Sequence, residues 1–129
     1  MIYIAFLLSF IAGFCEGVMD TLQFHFSKSI FSTFKHIYYW DPIISWRSKY
    51  RNNDPLLGPR FPLSTTFFVG ITDGWHTFKL LRNILIFTSL PIIGYFSEST
   101  IFLIIAITVC RTMYGAGFWL SYYKILIKK

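Results

Sequence analysis

The sequence predicts an all-α, polytopic membrane bundle of about three crossings, with two long helices joined by a proline-rich loop on the cytoplasmic side. Three observations predict it. Hydrophobic residues make up 54% and charged residues only 14%, against about 25% charged in a soluble domain. Three apolar runs reach the roughly 17–25 residues that a crossing needs. Four of the five prolines crowd into residues 41–63 and leave the apolar runs almost free of breakers. A chain of 129 residues cannot hide that much apolar surface in its own core, because small domains bury the smallest share of their surface. A soluble monomer, a disordered tail and a DNA-binding domain are thereby excluded, and no nucleic-acid partner is expected. The chain reads as one membrane domain, 1–129.

The first helix is predicted over 2–40, crossing at about 2–18. No proline interrupts the chain before Asp41, so the helix is expected to continue beyond the bilayer as an amphipathic segment. His25 and His36 are eleven residues apart, which places them on one wetted face of such a helix. A cleaved signal peptide is the other reading of the N-terminus, but the segment lacks the Lys/Arg start that such peptides carry.

Residues 41–63 are predicted as a structured loop, because Asn52-Asn53-Asp54-Pro55 and Gly58-Pro59 are dense turn chemistry. Trp40, Trp46, Tyr50 and Phe61 suit a membrane interface. Ser64, Thr65 and Thr66 offer N-caps for a second long helix, 65–96, kinked at Pro91. A turn at 97–100 leads to the last crossing, 101–123. The sequence holds 12 Lys+Arg against 6 Asp+Glu, and these cations gather in the central region and at the C-terminus. The rule that cytoplasmic segments are positive puts the N-terminus outside and the C-terminus in the cytoplasm of a cell-membrane protein. Cys15 and Cys110 both lie in apolar runs and read as small hydrophobes.

The candidate site residues are ionisable groups inside these spans. Glu16, Asp20, Gln23 and Ser27 share one face of the first helix, and Thr72, Asp73, His76, Lys79 and Asn83 form a stripe on the second. At about 1.5 Å per residue, Glu16, Asp20, His76, Lys79, Arg82 and Arg111 fall in one inner-leaflet layer. A lone charge there costs roughly 2.5–3.5 kcal/mol, so pairing is expected, Glu16 with Arg82 or Arg111. Asp73-x-x-His76 has the spacing of carboxylate–histidine metal ligands in helical bundles. Glu16, Asp20, Asp73 and His76 are therefore the candidate catalytic residues and the candidate ligands of a divalent Zn, Mn or Fe. A hydrogen-bonded His76 without metal is the plainer alternative. Arg47 and Arg60, interleaved with aromatics, are the candidate groups for an anionic lipid headgroup, and Arg82 and Arg111 complete the substrate-binding set.

The strings WDPIISWRSKY, NDPLLGPRF, STTFFV and TDGWH resemble a family of small, uncharacterised bacterial and phage integral membrane proteins, over roughly residues 16–80. The resemblance implies no activity. It groups Asp41, Trp46, Arg47, Arg60 and His76 as a set. Two functions follow as expectations: a membrane-embedded enzyme acting on a lipid or lipid-linked substrate, with or without a metal, or a non-enzymatic assembly subunit or holin-like pore former. A small transporter or channel would need a homo-oligomer, since three crossings are few.

Overall fold

The computed structural model describes residues 1–128. Four α-helices carry the fold: α1 (Ile2–His25), α2 (Ile37–Trp40), α3 (Gly74–Phe96) and α4 (Thr100–Trp119). Among the described residues there are no strands, only the isolated bridges Ser29–Ile127 and Tyr50–Pro59. Three helical spans are long and apolar enough to cross a membrane: Ile2–Lys28, Gly74–Phe96 and Thr100–Ile125, with mean hydropathy 2.0, 1.3 and 1.8. Leu7, Ile84, Phe87, Ile104 and Ile105 stand exposed on their outer faces, as a protein surrounded by lipid tails requires. This is a membrane protein.

α1 is the centre of the bundle. Both α3 and α4 pack along it, whereas they scarcely meet each other. The cause is a stripe of small residues at four-residue spacing, Ala5, Ser9, Gly13, Gly17 and Thr21, all buried. Lipid tails supply no hydrophobic drive between helices, so close backbone approach does the work. At Gly13 an added Cβ would run into the backbone carbonyl of Tyr114, and at Gly117 into that of Phe10. Ala5, Ile93, Ala106 and Cys110 form a core near the turn between α3 and α4. A second core, of Val18, Leu22, Phe31 and Leu126, joins the bundle to the cap built by residues 26–73.

α1 ends at His25, fifteen residues short of the expected 40. The hydroxyls of Ser29, Ser32 and Thr33 turn back onto the carbonyls of Phe26, Ser29 and Ile30 at 2.7, 2.8 and 2.6 Å, competing with the helix for its backbone acceptors. The C-terminal segment takes the rest: Ile30 N–H donates to the Leu126 carbonyl at 3.0 Å and Lys128 N–H to the Lys28 carbonyl at 2.8 Å. With the helix broken, His25 and His36 no longer share a face. His25 lies against the Tyr122 ring, 5.4 Å between centroids.

The second long helix begins at Gly74, not 65. Ser64 is buried and occupied elsewhere: its hydroxyl donates to the Lys49 carbonyl at 2.7 Å and accepts from Arg60 N–H at 3.1 Å, knotting the loop. Residues 67–71 form only a 3₁₀ turn. α3 runs through Pro91 without ending. α4 starts within a residue of its expected place, capped by Ser99, which accepts from Phe102 N–H at 3.2 Å, and passes into a wider π-helical turn over Leu120–Ile125.

Candidate functional site at the base of the cap

Asp73 sets the start of α3. It is extended, with φ −151° and ψ 167°, and its Oδ1 accepts the His76 backbone N–H at 3.0 Å, satisfying one of the orphan donors of a helix N-terminus. Its other oxygen, Oδ2, lies 2.7 Å from His76 Nδ1. The i, i+3 spacing makes both contacts possible on one turn. Thr72 Oγ1, bound to the Val69 carbonyl at 2.8 Å, lies 3.4 Å from Asp73 Oδ2. Asp73 is 1% exposed, while the His76 side chain is 28% exposed. One oxygen held in the protein thus fixes an imidazole that reaches an opening. A carboxylate on Nδ1 selects the tautomer and leaves Nε2 as the working nitrogen.

That opening is a cavity of about 180 Å³ lined by Gln23 and Trp75 and by Pro42, Ser45 and Trp46 of the loop. Gln23 comes from the polar face of α1, so this face meets the α3 stripe here as expected. The cap is fastened to α3 beside it: Tyr39 Oη donates to Thr77 Oγ1 at 2.8 Å, and Gly74 sits under the Trp40 ring, where a Cβ would not fit.

Further into the bundle, Arg82 of α3 pairs with Glu16 of α1 through Nη1 and Oε2. Arg82 Nε and Nη2 also donate to Asn83 Oδ1 at 3.2 and 3.0 Å. Tyr114 of α4 lies alongside the pair. Asp20, one turn along α1, is within electrostatic reach of Arg82 but forms no salt bridge among the described residues.

The expected convergence of all six charges does not occur. Lys79 instead lies over the Trp75 ring at 4.8 Å. Arg111 stands exposed over the Tyr114 ring at 5.7 Å and lines a membrane-facing groove between α3 and α4 with Ser9 and Ser89. The four-ligand metal set is corrected as well. Among the described residues no three His, Cys, Asp or Glu side chains come together to hold an ion. Asp73 is committed to the α3 N-terminus and His76, and Glu16 to Arg82, so Glu16, Asp20, Asp73 and His76 divide into separate places.

The loop cations separate too. Arg60 lines a second, larger cavity of about 870 Å³ with Lys35, His36, Tyr38, Asn52 and Asn53. Arg47 lies outside it, over the Trp46 ring at 5.3 Å. Sequence reasoning missed Lys35 and the two asparagines as cavity residues. Asn-Asn before Asp-Pro was the available signal, since asparagine tolerates the left-handed backbone that both adopt, with φ 52° and 59°. It also missed Gly13-x-x-x-Gly17, a small-residue packing motif plain in the sequence.

No known family model, curated protein or solved structure matches the chain.

Proposed function

We propose that this chain is a membrane-embedded acid–base enzyme acting on a lipid or lipid-linked ester, with the cap and C-terminus cytoplasmic and the turn between α3 and α4 outside. The Asp73–His76 pair, at the mouth of a pocket where the first residues of a membrane-spanning helix meet a cationic cap, is the observation that carries it. The orientation is supported by the six Lys and Arg of residues 21–72 and by the absence of any in Ser97–Thr100. In this reading His76 Nε2 takes a proton from water as the water oxygen attacks the ester carbonyl. The same nitrogen returns the proton to the departing alcohol. Asp73 stabilises the imidazolium between the two steps, a role in which a positioned base contributes about 10²–10⁴-fold. No metal is required.

The test uses the full chain in nanodiscs of phosphatidylglycerol and phosphatidylethanolamine, with released products followed by mass spectrometry. A lipid product that appears with the native chain and is lost in His76→Ala supports the reading. Equal turnover by His76→Ala and the native chain, or no product beyond empty nanodiscs, overturns it.

A second reading, an assembly subunit, is favoured by one observation. Arg111 stands in the middle of a membrane span without a carboxylate partner among the described residues, which suits an acidic residue brought by a neighbouring protein. Crosslinking from Thr108→Cys, one exposed turn before Arg111 on α4, to a partner in native membranes, abolished by Arg111→Glu, would support it.

A further inference from the structure

The larger cavity has a chemistry that the acid–base pair does not explain. Lys35, His36 and Arg60 face it together with Tyr38, Asn52 and Asn53, and no carboxylate lines it. Its volume of about 870 Å³ is large enough for a whole headgroup. Between residues 21 and 72 there are six Lys and Arg but only two carboxylates, Asp41 and Asp54. Both are committed to their own turns: Asp41 Oδ1 accepts from Ile43 N–H and Asp54 Oδ1 from Leu56 N–H, each at 2.9 Å. No hydrogen bond or ion pair to the protein occupies the side chains of Lys35, His36 or Arg60 among the described residues. The basin is therefore lined by a lysine, an arginine, a histidine and two asparagines, with no carboxylate of its own to meet them. Arginine beside lysine and amide donors is the donor set that a phosphate takes, since its oxygens accept from planar and point-like donors together. Thr72 forms part of the basin wall and stands next to Asp73, so the basin and the His76 pocket share a boundary.

We propose that this basin binds the phosphate of a phosphate ester, either a phospholipid headgroup or a soluble phosphorylated molecule. The proposal deepens the acid–base reading by naming its substrate class: an ester whose phosphate is gripped by Lys35 and Arg60 while His76 works nearby.

Binding is measured without turnover, so that the two readings fail separately. The full chain, purified in uncharged detergent, is offered a mixture of phosphatidylglycerol and phosphatidylcholine, and lipid retention is read by native mass spectrometry. The same preparation is titrated with glycerol 1-phosphate and with inorganic phosphate. Retention of phosphatidylglycerol alone identifies a lipid source, and saturable binding of glycerol 1-phosphate or inorganic phosphate identifies a soluble one. Lys35→Gln with Arg60→Gln is expected to weaken binding by about tenfold or more, as loss of charge-assisted hydrogen bonds does. Arg47→Gln with Arg51→Gln removes the same charge away from the basin and is expected to change binding less than about twofold, the size of a screened surface effect. Arg60→Lys, with unchanged thermal unfolding, separates binding from folding by restoring part of the affinity. His76→Ala is expected to leave binding intact even where it abolishes turnover. Equal losses in the two double variants, or no binding of any of the four phosphate-bearing molecules, overturns the proposal.

Discussion

Arg82 of α3 and Glu16 of α1 form the one ion pair that joins two membrane-spanning helices among the described residues. It ties the central helix to the helix that carries His76, six residues before Arg82. Removing one partner leaves a lone charge, at roughly 2.5–3.5 kcal/mol in a membrane span. Removing both leaves none. Glu16→Leu and Arg82→Leu are each expected to lower the thermal midpoint in detergent, and the double variant to recover most of the loss. A double variant worse than the sum of the singles would show that the pair is not what links the helices.

Gly13 lies where α1 meets the α4 backbone, and Gly94 lies on α3 with nothing within 4 Å of an added Cβ. Gly13→Ala is expected to destabilise by about 1–3 kcal/mol through overpacking. Gly94→Ala is expected to be neutral or to stabilise by about 0.5–1 kcal/mol, from helix propensity alone. Thermal unfolding of the two proteins side by side tests the contrast.

Ser64 holds the loop by a hydroxyl that donates to Lys49 and accepts from Arg60. Ser64→Ala removes one of the two donors to the Lys49 carbonyl, which keeps the Arg60 N–H at 2.9 Å, so the loss is that of a single hydrogen bond, about 0.5–1.5 kcal/mol. Faster proteolysis within 41–63, with the bundle left intact, is the expected readout.

Asp73 has two duties that substitution separates. Asparagine is as good a helix cap as aspartate, so Asp73→Asn is expected to keep the stability that Asp73→Ala loses, typically about 1 kcal/mol. Yet Asp73→Asn removes the negative charge beside His76. Under the acid–base reading it loses activity as Asp73→Ala does. Full activity in Asp73→Asn would reduce Asp73 to a cap.

The three crossings were legible because lipid imposes a length and a composition that no other constraint competes with. That Glu16 would pair with an arginine of another crossing was legible for the same reason, but the choice of Arg82 over Arg111 was not. What failed was decided by local hydroxyls and by distant chain. Ser29, Ser32 and Thr33 do not look like helix breakers until the Leu126 carbonyl is there to receive Ile30 N–H. Ser64 looked like a cap because its role in the loop depends on Lys49, fifteen residues upstream. The metal reading overvalued the Asp73-x-x-His76 spacing, which a helix N-cap satisfies as readily as an ion does.

The bonds from residues 126–128 to Lys28 and Ile30, with Leu126 packed among Val18, Leu22 and Phe31, set an order of events during synthesis. α1 leaves the ribosome first, but Lys28 and Ile30 meet these backbone partners only after all three membrane-spanning segments have been synthesised. A nascent chain halted before residue 126 would leave the Ile30 N–H and the Lys28 carbonyl without these partners.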